Sequence, residues 1–280
     1  MRKSPLQEPE QSVPHFSTRF APRDVGAINW LGIWTLYSKE VHRFLKIAMQ
    51  SIVAPVVTTL LFLAVFSIAF GDRAVPGSEV PFPRFLGPGL IMMAIVQNSF
   101  ANSASSLLIS KIQGNIVDLL MPPLGPGELS FCFAMAGATR GLLCGAAVAL
   151  GMSIFIDNSV AHIWPIVFYG GTAGLLLAQI GITSGIWAEK FDHMATITNF
   201  IITPLAFLSG TFYSIDRLPQ PWHGLSQINP FFYMIDGFRF GFIDHADGVL
   251  AMGVVFLIFL NAAMWICNYL ILRGGWKLKS

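Results

Sequence analysis

The chain has 280 residues, of which 54% are hydrophobic and 11% charged, against about 25% charged residues in an ordinary soluble protein. That balance excludes a water-solvated globule. The net charge of +2, with no dense run of lysine or arginine, excludes a nucleic-acid groove.

Residues 1–27 are rich in Pro, Ser, Gln and charge and predict a disordered cytoplasmic tail; the first apolar block begins too late for a cleaved signal peptide. Over residues 28–46, Trp30, Ile33, Trp34, Tyr37, Val41, Phe44 and Leu45 recur at spacings of three and four, while Lys39, Glu40, His42, Arg43 and Lys46 take other faces. This predicts an amphipathic helix whose aromatic and basic content suits the cytoplasmic headgroup layer. A plain extension of the first span into water would instead expose two tryptophans.

Apolar blocks then run over Ile47 to Phe70, Pro88 to Ile109, Leu129 to Ile156, Ile163 to Trp187, Met194 to Thr211 and Val249 to Leu272. Each is long enough to cross about 30 Å of hydrocarbon as a helix, whereas barrel strands would be about ten residues long and alternate in polarity. The expected fold class is therefore an all-α polytopic membrane protein, with six transmembrane helices over residues 47–272 and a cytoplasmic tail at 273–280. With six spans both termini share a side. That side holds twelve lysines and arginines and the other holds four, which predicts cytoplasmic termini.

Two connections are unusual. The cytoplasmic link from Ser110 to Glu128 is short and apolar: Ile112, Ile116, Leu119 and Leu120 could form one face of a short helix stopped by Pro122 and Pro123. That face either docks on a partner protein or folds back on the bundle. The outside segment 212–247 is aromatic and broken by Pro219, Pro221 and Pro230, yet Phe231, Phe232, Met234, Ile235, Phe238 and Phe242 make its second half apolar. It predicts a re-entrant helical hairpin between spans five and six, in which Asp236 and Arg239, three apart, could pair.

The run TPLAFLSGTFYSIDRLP followed by INPFFYMIDGFRFG resembles the C-terminal signature of the type-2 ABC exporter permeases, through Pro204, Gly210, Phe212, Tyr213, Leu218, Pro219, Asn229, Pro230 and Arg239. FLGPGL at Phe85 to Leu90, and Gly114, Leu119, Leu120, Pro122 and Glu128 in the link, agree with it. The resemblance implies a homodimeric permease in the bacterial inner membrane, each copy engaging a separate ATP-binding subunit that carries the ATP and magnesium. It implies that the link is a coupling helix, with Gly114, Ile116, Asp118, Leu119, Leu120, Pro122 and Glu128 as its docking residues, and that residues 29–46 are a gate helix. Nodulation lipo-oligosaccharide, drug, polysaccharide and lipid exporters are the nearest kinds, so the implied cargo is a lipid, a glycan or an amphipathic drug-like molecule. The alternatives are an ATP-independent carrier or channel and a non-transporting scaffold.

No catalytic machinery is expected in the chain. It has no glycine-rich phosphate loop ending in Gly-Lys-Ser or Gly-Lys-Thr and no helical histidine pair with an intervening glutamate, and Ser184 in GITSGI lacks a histidine partner. Cys132, Cys144 and Cys267 are too scattered for disulfides or a metal site. No cofactor or metal is expected. Candidate pathway residues are Asn98, Asn102 and Ser106, on one helical line of the second span, and Thr196, Asn199 and Thr203 in the fifth. In lipid such groups face either other helices or a cavity. Arg140, the clear ionisable residue within a span, pairs across the dimer, snorkels toward the cytoplasm or contacts an anionic cargo.

Overall fold

The computed structural model describes residues 28–71, 80–213, 215, 219 and 222–277. The expected tail at 1–27 and the motif residue Leu218 lie outside the described residues. Every regular element is a helix: α1 (Trp30–Leu45), α2 (Ala54–Phe70), α3 (Phe82–Ile112), α4 (Ile116–Leu120), α5 (Pro126–Met152), α6 (Ile163–Trp187), α7 (Phe191–Ile197), α8 (Thr203–Leu208), α9 (Trp222–Ile228), α10 (Pro230–Ile243) and α11 (Leu250–Gly274). Among the described residues, four stretches are long and apolar enough to cross a membrane, namely Met49–Phe70, Pro126–Met152, Ile163–Trp187 and Leu250–Gly274.

The centre of the bundle is α3, clasped between α5 and α6 by small residues. A Cβ added at Gly181 of α6 would lie 2.6 Å from the Phe100 carbonyl oxygen, and one at Gly185 would lie 2.7 Å from that of Ala104. Only glycine lets the two backbones approach so closely, which is how membrane helices gain dispersion contacts when lipid supplies no hydrophobic drive. Helix α3 begins two turns before Pro88, where the sequence pattern starts the span: Pro83 occupies a first-turn position, where its missing N–H is no loss, and Pro88 sits inside the helix.

Two turns of π-helix interrupt the outer helices. Met49–Val53 leads into α2, and Thr198–Ile202 joins α7 to α8. In each case the residue before a proline reaches back five residues: Ala54 N–H donates to the Met49 carbonyl ahead of Pro55, and Thr203 N–H to the Thr198 carbonyl ahead of Pro204. A proline has no N–H for the residue four back, so the ladder is already broken there and an extra residue is accommodated at small cost.

Helix α1 runs alongside the first half of α5 in the same direction. Its contacts step from Asn29 N–H on the Glu128 carboxylate (2.7 Å), through Cys132 Sγ on the Ile33 carbonyl (3.4 Å), to the Tyr37 and Thr139 hydroxyls (3.0 Å). Ile33, Leu36, Glu40 and Phe44 are buried, while Trp30, Leu31 and Trp34 face outward. The buried Glu40 corrects the sequence reading, which set it on a face away from the packing; the next subsection gives its partners.

The link from α3 to α5 turns at Gly114, whose φ of +74° is open to glycine without strain. In α4, Ile116 and Leu119 fold inward against Ile33, Leu36 and Leu129. Val117 and Met121 remain exposed.

Candidate functional site: the polar seam of α3 and the adjoining cleft

Asn98, Asn102 and Ser106 are spaced at four, so they rise on one stripe of α3, and all three are buried. Each meets a polar or charged side chain from a neighbouring helix. Arg140 of α5 donates through Nη2 to Asn98 Oδ1 at 3.4 Å. Arg43 of α1 donates through Nη2 to the Asn102 side-chain and backbone oxygens at 3.0 and 3.1 Å. Ser106 donates to Glu40 Oε2 at 2.7 Å, and the same carboxylate oxygen accepts from Arg43 Nε at 3.0 Å. The three rungs pin α1 and α5 to α3. Between the two outcomes open at the sequence level, helix contact or cavity, Asn102 and Ser106 take the first, and Asn98 belongs to both.

Asn98 also forms part of the wall of an open cleft of about 570 Å³ between α2, α3 and α8. Gln50, Thr58, Thr59, Gln97 and Thr203 give it polar lining, and Phe62, Met93 and Phe207 an apolar wall. Both π-turns abut it, since Pro55 and Thr203 are among its lining residues. Thr196 and Asn199 are exposed elsewhere on the fifth apolar stretch, and Thr196 donates to the Asp192 carbonyl instead. Glu40 and Arg43 are the site residues that the sequence reading missed. The available signal was their spacing of three on one helix, which permits an ion pair.

The signature residues near the C-terminal half have a structural logic. Helix α8 ends inside the protein, where its last carbonyls have no helical partner. Side chains supply the donors: Asn229 Nδ2 to the Leu205 carbonyl (2.8 Å), Thr211 Oγ1 to that of Ala206 (2.7 Å), and Tyr213 Oη and Ser226 Oγ to that of Leu208 (both 3.1 Å). Arg239 Nη2 donates to the Gly210 carbonyl (2.6 Å), and its guanidinium lies 3.9 Å over the Phe85 ring of α3. A cation at a helix C-terminus also answers the macrodipole there.

Gly210, with φ +78°, makes the turn, and Phe212 packs between Phe66, at a tilt, and Phe207, edge to face. Asn229 also caps α10 by accepting from Phe231 N–H, with Pro230 following at a first-turn position. Pro204 opens α8 in the same way, and Pro219 accepts from Trp222 N–H ahead of α9. The expected Asp236–Arg239 ion pair does not form. Asp236 accepts instead from the backbone N–H groups of Asp247 (2.7 Å) and Gly248 (3.0 Å), so each charge is satisfied by a different turn of main chain.

Of the link residues, Glu128 is engaged locally: its two oxygens accept from Asn29 N–H and Gly125 N–H (2.6 Å), tying the start of α1 to the start of α5. Asp118, Gly114 and Pro122 are exposed, and Ile116 and Leu119 are buried. No group of three or more His, Cys, Asp or Glu able to hold a metal occurs among the described residues.

The fold is a helical bundle suited to a membrane, and the sequence comparison gives its class: residues 32–243 match the ABC-2 type transporter family, to which the chain belongs. The matched stretch runs from the first turn of α1 to the last residue of α10. Among individual relatives, the chain is similar to the inner membrane transport permease YadH of Escherichia coli (strain K12), at 37% identity over 88% of this chain and 96% of the relative. It is also similar to nodulation protein J of Rhizobium leguminosarum bv. trifolii, at 23% identity over 85% of this chain and 93% of that one, and to nodulation protein J of Sinorhizobium fredii at 25%, over 81% and 86%.

Proposed function

We propose that the chain is the membrane-spanning half of an ATP-driven exporter: two copies pair in the inner membrane, each engages an ATP-binding subunit, and an amphiphilic lipid, glycan or drug-like cargo moves outward through their centre. The reading takes six spans: the four apolar stretches, to which it adds α3 with its polar seam turned inward and the α7 to α8 stretch. Both termini then lie in the cytoplasm, α1 enters from that side, and α9 with α10 forms a re-entrant pair outside. The ATPase partner is the one that ABC-2 family membership implies.

The observation that carries the reading is the division of labour in the cytoplasmic link. Ile116 and Leu119 are used inside the bundle, so the docking face passes to Val117 and Met121, exposed at 58% and 75%, with Asp118 beside them. Two bare aliphatic side chains on a short helix, anchored from behind to α1 and α5, suit a lever that receives a push from a partner. The ATPase supplies the energy, and α1 and α5 carry the movement to the seam.

The test is co-purification of the cognate ATP-binding subunit. Changing Val117 and Met121 together to Asp is expected to abolish capture of the ATPase and transport-coupled ATP hydrolysis while leaving the melting temperature of the membrane chain unchanged. Normal capture and hydrolysis would sink the docking assignment.

A further inference from the structure

Charge within the seam does not balance. Glu40 carries one negative charge and is engaged by Arg43 and Ser106, whereas Arg43 and Arg140 carry two positive charges. Arg140 forms no ion pair among the described residues. It stands halfway along the 27 residues of α5, so about 20 Å of helix separates it from either end. Its bond to Asn98, at 3.4 Å, is long for a charged donor, and its Nε is buried without a partner. A guanidinium has five N–H donors in a flat fork suited to two oxygens of one anion. Here most of that capacity is idle.

Asn98 and Asn102 are four residues, about 6 Å of helix rise, apart, so the two guanidiniums bond to successive turns of α3. Asn98 is also cleft wall, so the side chain to which Arg140 donates bounds the 570 Å³ space. Among the described residues lining that space none is charged. Arg140 stands one hydrogen bond behind the wall residue Asn98 and is the cation of the seam without an ion pair, while Phe62, Met93 and Phe207 offer an apolar wall to whatever is attached to an anion there.

We infer that Arg140, steadied by Asn98 and reinforced by Arg43, binds the anionic group, a phosphate or a carboxylate, of an amphiphile whose apolar part lies in the cleft. The inference rests on the exporter reading and adds to it the chemistry of the cargo's head. Paired carboxylates are absent from the site, so the anion supplies the missing negative charge at that depth.

The experiment is native mass spectrometry of the full chain in neutral detergent, titrated with dioctanoyl phosphatidic acid, dioctanoylglycerol and inorganic phosphate. Phosphatidic acid is expected to bind saturably and at least about tenfold more tightly than dioctanoylglycerol, as a charge-assisted bidentate bond would give. Arg140→Gln is expected to remove that preference, Arg140→Lys to keep part of it, and Lys277→Gln, which deletes a distant surface charge, to leave it intact. Equal binding of the two amphiphiles, or an Arg140→Gln variant that binds phosphatidic acid as the parent does, overturns the site.

Inorganic phosphate that binds as tightly as phosphatidic acid and with the same Arg140 dependence overturns the amphiphile and leaves a free-anion site. Should Arg140→Gln not fold, Asn98→Ala takes its place, with a loss of about threefold expected for one weakened bond; unchanged affinity overturns the proposal. Binding needs no ATPase, so Arg140-dependent binding without ATP-driven export in reconstituted vesicles would sink the exporter reading alone. Export that runs normally with Arg140→Gln would sink the anion site alone.

Discussion

The α3–α5–α6 core and the helices around the cleft are built on opposite plans. In the core, glycines let backbones touch, and about half of the most apolar window of α5 and α6 is buried (50% and 56%). The stretch ending in α2 is as apolar as any, yet only 6% of its window is buried, and both α2 and α8 start from a π-turn next to a proline. A close-packed core resists small displacements because every shift opens or closes contacts at once. A helix held by few contacts and hinged at its entry can tilt. The contrast assigns rigidity to the centre and movement to the walls of the cleft.

The largest expected effect comes from breaking the core. Gly181→Ala places a methyl 2.6 Å from the Phe100 carbonyl oxygen and is expected to cost about 3 kcal/mol or prevent assembly, read as lost detergent-stable protein or a lower melting temperature. Gly171 on the same helix has open space around its added Cβ. Gly171→Ala should therefore be neutral or stabilise by up to about 1 kcal/mol through helix propensity. Equal outcomes for the two would erase the distinction between packed and open positions.

An intermediate effect is expected where the two plans meet. Asn229→Ala removes one donor to the Leu205 carbonyl, the donor to Ser209 Oγ and the cap on α10, leaving the Leu205 carbonyl with Ser209 Oγ alone. It should cost about 2 kcal/mol in thermal unfolding. The smallest effect belongs to the hinge: Pro55→Ala restores an N–H to the helix entry and is expected to slow amide exchange over residues 49–53 while moving overall stability by under about 1 kcal/mol. Unchanged exchange would mean that the proline does not set the π-turn.

The sequence made the helical stretches legible because lipid solvation leaves long apolar runs, and it made the stripe of Asn98, Asn102 and Ser106 legible because spacing by four is a face. It did not reveal what faces the stripe. Glu40 and Arg43 look like surface charges when read along one helix; their burial depends on α1 lying along α5, a tertiary fact with no local signal. Of the face expected from Ile112, Ile116, Leu119 and Leu120, Ile116 and Leu119 are buried while Ile112 ends α3 exposed, because periodicity cannot say where one helix stops or whether such a face turns inward or outward. Asp236 and Arg239 show the same limit: a spacing of three permits a pair, and competing backbone groups at Gly210, Asp247 and Gly248 took both partners.

The polar stripe on α3 also bears on how the chain is made. Helix α3 is not among the stretches apolar enough to partition into lipid by hydropathy, its amides and hydroxyls find partners on α1 and α5, and it packs closely on α6. Synthesis delivers α1 before it and α5 and α6 after it. During biogenesis α3 must therefore wait at the translocon, or in the care of an insertase, until its later neighbours emerge, and mutations that slow those neighbours should surface as degraded nascent chain rather than as misfolded product.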